Sequence, residues 1–278
     1  MPTLYLVGTP IGNLEDVTLR ALRVLKEVGL IAAEDTRRAR ILMQRYEIET
    51  PLTSYHEQGR GSSAASLVRQ LADKDIALIS EAGMPSVSDP GFALVREALG
   101  HGFRVEVVPG PSVATAAVAV SGLPSNQFVF LGFLPRTTGK RRRFLESVQH
   151  DPRTLIVLEA PHRIRESLAD IADLFGERPI AVCRELTKLH EEVYRGTVAG
   201  ASAHFDKPKG EFTLVIGGSE QQPAPLAEDE VRERLLALRA QGLSGKDVVT
   251  QVSGEAGRPR KEVYRYWIEI QEETEDAG

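Results

Sequence analysis

At 278 residues the chain is too long for one small domain and suits two compact units plus an appendage; 42% apolar and 26% charged residues are those of an ordinary soluble protein with real cores. A formal net charge of −5 argues against a coat protein that binds nucleic acid without specificity, and the single cysteine, Cys183, excludes an intramolecular disulfide and a thiolate zinc cluster. No stretch approaches the roughly 18 uninterrupted apolar residues of a membrane span, and the opening Met1–Gly8 segment lacks a basic start and cleavage site, so the expected location is the cytoplasm.

Residues 1–124 alternate short apolar runs with helical patterns. Leu4–Val7, Leu30–Ala33, Ile76–Ser80 and Val105–Val108 read as strands buried in a parallel sheet. Between them Leu19, Leu22, Val24, Leu25 and Val28, and later Leu67, Val68 and Leu71, recur at helical spacing. Such a succession predicts a mostly parallel sheet with helices on its faces and ligands outside the carboxyl ends of its strands. Leu123-Pro124-Ser125-Asn126 breaks an apolar helix and marks a boundary. Residues 125–220 then read as a second α/β domain, with strands at Phe128–Leu131, Thr154–Leu158, Ile180–Arg184 and Phe212–Ile216 and a helix over Ile164–Leu174. Gln221–Pro225 reads as a linker to residues 226–278, a small all-α helix-turn-helix module. Its helices are expected around Val231–Leu238, Lys246–Val252 and Arg258–Ile270, with turns at Gly242–Ser244 and Gly254–Gly257 and an acidic tail from Gln271 that frays.

Four turn-rich segments follow predicted strands: Gly8–Asn13, Ser80–Gly91, Pro109–Ser112 and Glu159–Arg163. Each has a structural explanation, Asp89-Pro90 as a helix start and Ser112 as a helix cap among them. Together, at strand ends of two adjacent units, they predict a cleft lined by main-chain groups and suited to a compact polar cofactor. No G-x-G-x-x-G follows the first strand, no G-x-x-x-x-G-K-[ST] occurs, and the six histidines form no H-E-x-x-H, which weighs against dinucleotide, P-loop and metal-hydrolase chemistry. Two basic clusters, Lys140–Arg143 and Arg258 with Arg260, Lys261 and Arg265, read either as solvated helix faces or as local anion-binding surfaces.

The segment Leu4–Leu14 resembles the opening signature of the ribosomal RNA small subunit methyltransferase I family, of the tetrapyrrole methylase superfamily. The resemblance continues through Ala33–Arg37, Pro109–Ser112, Gly132–Pro135, Ala160–Arg163, Arg184–Lys188 with Glu191, and Gly210–Phe212, in the family's order. The chain departs where the family usually carries Asp and Thr, having Glu81 and Met84; Glu keeps the carboxylate and Met removes a hydroxyl.

The resemblance implies two α/β domains of the tetrapyrrole methylase type with S-adenosylmethionine folded in the cleft between them, no metal, and a homodimer. It places Pro10, Ile11, Glu81, Ala82, Gly83, Met84, Ser112 and Val113 in the cofactor pocket, with Leu158, Glu159, Leu186 and Thr213 from the second domain. It implies 2′-O-methylation of a cytidine (cytidine 1402) in the decoding region of 16S ribosomal RNA, with the assembled 30S subunit as substrate. Glu81, Glu185 and His162 are candidate general bases, and Arg37, Arg38, Arg136, Lys140, Arg141, Arg142, Arg143, Arg163 and Lys188 candidate RNA contacts around the cleft. Glu159 and Glu185 equally fit a structural network with Arg163 and Lys188, and Tyr264, Tyr266 and Trp267 fit either RNA contact or the core of the helical module. A small-molecule methylase of the same fold and a ligand-sensing, DNA-binding regulator are the alternatives; turnover separates the second from an enzyme.

Overall fold

Apolar runs of four to six residues bounded by Gly, Pro and polar side chains are too short for helices and fold as strands. The structure, a computed structural model, describes residues 2–56, 62–206, 208–220 and 226–276. In chain order the first half contains β1 (Thr3–Val7), α1 (Leu19–Glu27), β2 (Leu30–Ala33), α2 (Thr36–Arg45) and β3 (Leu52–Ser54). It continues with α3 (Ala64–Leu71), β4 (Ile76–Ile79), α4 (Phe92–Gly100), β5 (Arg104–Val108) and α5 (Val113–Ser121). The second half contains β6 (Phe128–Phe133), α6 (Thr138–Val148), β7 (Thr154–Glu159), α7 (Ile164–Phe175) and β8 (Pro179–Arg184). After these come β9 (Glu192–Thr197), α8 (Val198–His204) and β10 (Phe212–Ile216).

The first sheet has the order β3-β2-β4-β1-β5 with every pair parallel. Successive residues of a strand face opposite sides. Ile31, Ala33, Ala77 and Ile79 therefore pack beneath α1 and α2, while Leu30, Ala32, Ile76 and Leu78 pack beneath α3 and α4. Burial on both faces is why these strands read as unbroken apolar runs rather than as alternations.

The second sheet has the order β6-β7-β10-β8-β9. Only β6 and β7 are parallel; β10 lies antiparallel between β7 and β8, and β9 antiparallel to β8. One face packs on Leu145 of α6, Ile164, Leu168 and Ile171 of α7, and Val198 and Ala201 of α8. The other face is covered by α5, which leaves the first sheet after β5 and seats Ala114, Ala117 and Val118 against Ile156, Ala181, Cys183 and Val215. Alanines on the contact stripe let this helix approach the sheet closely.

Sequence reading missed β3 and β9. Both are edge strands of mixed polarity with no fully buried residue, so neither carries an apolar run. Asp89-Pro90 does not start a helix: α4 begins at Phe92, with Gly91 at the N-cap and no side-chain cap.

Contacts divide the chain into units Met1–Gly218 and Ser219–Gly278. The second unit packs α9 (Glu228–Ala240), α10 (Gly245–Ala256) and α11 (Arg260–Asp276) around Val231, Leu235, Val249, Val252, Val263, Tyr266, Trp267 and Ile270. Tyr266 and Trp267 are thus core residues, whereas Tyr264 is exposed. Gly254–Ala256 is helical, and the turn expected there starts at Gly257, which has a φ of 61°. Helix α11 continues through the expected tail to Asp276; residues 221–225, read as a linker, lie outside the described residues, as do 277 and 278.

Ala117, fully buried where α5 meets the second sheet, has no room for a larger side chain. Ala117→Leu is expected to cost about 1–3 kcal/mol by overpacking, read as a lower midpoint in denaturant unfolding.

Candidate active site

Backbone geometry assembles the site. The Gly8 amide donates to the Val108 carbonyl at 3.0 Å, and Thr9 and Gly83 exchange two main-chain hydrogen bonds at 2.9 and 3.0 Å. The loops after β1, β4 and β5 are thereby stitched together. A Cβ on Gly8 would lie 2.7 Å from the Gly110 Cα and 2.7 Å from the Met84 sulfur, so glycine is required for that close approach. The same first loop reaches the second sheet: the Asn13 amide donates to Thr187 Oγ1 at 3.0 Å. Five described non-glycine residues have positive φ, and four of them, Ser86, Ser88, Glu185 and Thr187, belong to these loops. Such backbone strain persists only where surrounding structure holds it, and it gathers at functional sites.

These loops enclose a cleft of about 330 Å³ between the two sheets, within the range of small-molecule sites. Ile11, Glu81, Ala82, Gly83, Met84, Ser112, Val113, Leu158, Glu159 and Thr213 line it. Pro10 and Leu186 are buried and are not among the lining residues. Ser112 occupies the N-cap position of α5, yet its hydroxyl makes no cap hydrogen bond. The lining also includes residues not singled out from sequence as cofactor contacts: Val87, Ser88 and Asp89 of the expected Ser80–Gly91 turn, and Phe130, Phe133, Glu211 and Phe212. Asp89 was hidden by its fit to a helix cap and Phe130 by its fit to a buried strand, while Phe133 lies beyond the expected strand end at Leu131.

A cluster of carboxylates flanks the cleft. Ala33 pairs with Ile79 in the parallel ladder, so Glu34 leaves β2 alongside Ser80, at the start of the loop that carries Glu81 and Asp89. Burial, with repulsion from Asp89, Glu81 and Asp35, pushes the Glu34 carboxyl up to about 7, against the pull of Arg38. Burial also raises Asp89, opposed by a hydrogen bond from Ser80. Arg38 lines the cleft and pairs with Glu81 at 3.5 Å. Asp35 caps α2 by accepting from the Arg37 amide at 2.7 Å; the Arg37 guanidinium holds its carboxyl down to about 2.

The other candidate bases are placed differently. His162 is exposed and does not line the cleft. Glu185 accepts from the Glu211 amide at 2.8 Å and from Lys188 Nζ at 2.9 Å. Burial alone would raise its carboxyl, but these hydrogen bonds outweigh it and hold the group below the usual carboxylate range. Lys188 is further paired with Glu211 at 2.9 Å.

Several residues expected to face ligand or RNA are committed to internal contacts. Glu159, 1% exposed, accepts from the Ala160 amide, Ser167 and Arg163. Arg163 donates to the Leu134 and Pro135 carbonyls at 2.7 and 3.0 Å and so anchors the strand exit after β6. Arg141, also 1% exposed, is sealed between α6 and α7 with Asp170 at 2.6 Å and Glu166 at 3.5 Å. It therefore has no surface for RNA. Arg142 is half-buried and bridges Asp170 and Asp173. Arg136, Lys140 and Arg143 stay exposed. Among the described residues no group of three or more His, Cys, Asp or Glu is placed to hold a metal, and no helix is long and apolar enough to cross a membrane.

A parallel sheet joined by one apolar helix to a mixed sheet, with a loop-lined cleft at the strand ends, defines the tetrapyrrole methylase fold. The family model described as Tetrapyrrole (Corrin/Porphyrin) Methylases matches residues 3–202. The crystal structure of uroporphyrin-III-C-methyltransferase from Thermus thermophilus is similar with a TM-score of 0.57 at 23% identity, over 78% of this chain and 94% of that one. The methyltransferase CobJ gives 0.62 at 16% identity, over 81% and 97%. Among curated proteins, ribosomal RNA small subunit methyltransferase I of Thermotoga maritima is 48% identical over 224 residues, 79% of this chain and all of that one. Its counterpart in Bacillus subtilis is 41% identical over 272 residues, 95% and 93% of the two chains. The chain belongs to the ribosomal RNA small subunit methyltransferase I family.

Two measurements test this electrostatic layout. Removing Arg141 leaves the buried Asp170 carboxylate only its half-buried partner Arg142, so Arg141→Ala is expected to cost up to about 3–5 kcal/mol of unfolding free energy, whereas exposed Lys140→Ala stays within about 0.5 kcal/mol of the parent. Folded Glu34 keeps its proton to about 7 while an ordinary carboxyl releases it at 4.5, so the folded state binds the extra proton in that window and stability falls as pH rises through it. Glu34→Gln should therefore melt close to the parent below about pH 4.5 and progressively above it as pH rises to about 7, by thermal unfolding across that range.

Proposed function

We propose that this chain transfers a methyl group from S-adenosylmethionine to the ribose 2′-hydroxyl of a cytidine (cytidine 1402) in the decoding region of 16S ribosomal RNA. The cleft carries the reading. Its Gly- and Pro-rich loops meet through main-chain contacts too close for side chains, and its walls combine apolar Met84, Val113, Phe130 and Leu158 with the uncommitted Ser112 hydroxyl. That mixture fits a compact molecule with one flat apolar ring and several polar groups. The names of the curated relatives support the choice of ribosomal RNA over a small-molecule acceptor.

Bound in the cleft, the cofactor supplies an electrophilic methyl on a sulfonium. The work of the chain is to align an acceptor oxygen with it, and orientation of this kind contributes several kcal/mol, up to roughly 10. A 2′-hydroxyl also has a proton to lose, and a positioned base adds on the order of 10²–10⁴ in rate. Of the three candidates, Glu81 alone lines the cleft; Asp89 lines it too, with Glu34 nearby, and burial raises both carboxyls, that of Glu34 to about 7. Glu185, locked by Lys188 and Glu211, serves to hold its loop. Arg37, Arg38, Arg136, Lys140 and Arg143 supply exposed positive charge for RNA phosphates. An acidic chain suits the assembled 30S subunit as substrate better than bare RNA. The same reading takes residues 1–124 and 125–220 as the two methylase domains, 226–278 as an accessory helix-turn-helix, the location as the cytoplasm and the assembly as a homodimer.

Incubation with methyl-labelled S-adenosylmethionine and either free 16S rRNA or isolated 30S particles, followed by mapping of the label, tests this directly. One alkali-resistant methyl in the decoding region, acquired by 30S particles, is the expected result; label on a base or on no RNA refutes it. Gly8→Val, which drives a side chain into Gly110 and Met84, is expected to abolish cofactor binding in calorimetry.

A further inference from the structure

Strand β6 contains an irregularity that changes where one aromatic residue points. Its register on β7 pairs Phe130 with Ile156, then slips, so that Gly132 pairs with Val157 and Phe133 with Leu158. The extra residue is Leu131, and Gly132 takes a φ of 65°, open to glycine and strained for other residues. Ile156 and Leu158 face one side of the sheet, and the slip places Phe130 and Phe133, three residues apart, together on that side. In an unbroken strand Phe133 would turn to the opposite face, where Val129, Leu131, Leu155 and Val157 belong to the main core. The bulge diverts a phenylalanine from that core.

The diverted ring ends on the rim of the cleft. The floor is closed, with Glu159, Phe212 and Thr213 at 1%, 2% and 4% exposure, whereas Phe133 is 57% and Val87 is 51% exposed. The two rim segments meet, since a Cβ on Gly132 would lie 2.8 Å from Ser88 Oγ. An exposed phenylalanine at a cleft mouth suits a flat apolar ligand surface. Immediately after it come Arg136, Lys140 and Arg143, exposed and in no ion pair with any described residue. Apolar plane and free positive charge together match a nucleotide lifted out of its stack, because every base offers a π-face and every phosphate a negative charge.

We propose that Phe133 is the platform on which the base of the target nucleotide stacks, with Val87 on the facing rim and Arg136 and Lys140 holding the adjacent phosphates. This rests on the functional reading above and adds the residue that positions the acceptor. Phe133 acts on the nucleotide from the exposed rim of the cleft, whose buried floor takes the cofactor.

Steady-state methylation of 30S particles by the full chain, its Phe133→Ala and Phe133→Trp variants, decides the matter, with cofactor affinity by calorimetry and molecular size by light scattering alongside. The expected result for Phe133→Ala is a KM for 30S particles raised on the order of 5- to 100-fold, the range set by loss of one base–aromatic stack. Cofactor affinity and size should be unchanged, and Phe133→Trp should restore KM to within a few-fold. An unchanged KM in Phe133→Ala overturns the proposal, as does a parallel fall in cofactor affinity. A change in molecular size, which would assign the ring to contact with a second copy of the chain, overturns it equally. If the parent chain itself transfers no methyl to 30S particles, the functional reading fails and this one with it; normal transfer with an indifferent Phe133→Ala removes this one alone.

Discussion

The seating of α5 on the second sheet is the contact from which the rest of the site follows. This helix begins where the first sheet ends, at Ser112, and buries Ala114, Ala117 and Val118 against strands of the other sheet. It is short and built from small residues, so its backbone lies close to β8 and β10 with little freedom to slide. The carboxyl ends of the first sheet are thus held opposite the ends of β7 and β8 and the start of β10. Remove that seating and the loops described above would have no common cleft to line.

Charge in this molecule divides into two populations by burial. Arg141 with Asp170 and Arg163 with Glu159 are buried pairs, and the first fastens α6 to α7. Buried pairs of this kind specify an arrangement more than they stabilise it. The second population, Glu34, Glu81, Asp89 and Arg38, collects at the cleft, where burial first and repulsion between like charges second raise two of its carboxyls. A sequence motif does not distinguish the two populations. Lys140–Arg143 is one run of four basic residues, yet one turn of helix sends Arg141 inward and leaves Lys140 and Arg143 in water.

Architecture was legible wherever burial on both faces forced an apolar run, as in β2, β4, β7 and β10. It was not legible at the edges, where β3 and β9 bury too little to leave a pattern. The site was legible through its glycines and prolines, since backbone geometry that only these residues favour is visible in sequence. Ten of the twelve residues expected around the cofactor do line the cleft. What could not be read was which polar side chain would find an internal partner. Glu159 and Arg163 look like ligand groups until Ser167 and the carbonyls of Leu134 and Pro135 are seen to occupy them. Asp89 is the converse case, a plausible helix cap that the fold leaves beside the cleft because α4 starts three residues later at Phe92.

The stitching of the cleft through peptide groups has an evolutionary corollary. A site described mainly by dihedral angles tolerates exchange of the side chains around it, so the donor half can endure while the acceptor half is rewritten. Glu81 and Met84, on the loop held by the Thr9–Gly83 pair, are local instances of such exchange. The likeness to uroporphyrin-III-C-methyltransferase at 23% identity is a distant one. Side chains free to change then gather at the exposed rim, at Val87 and Phe133, and not on the closed floor.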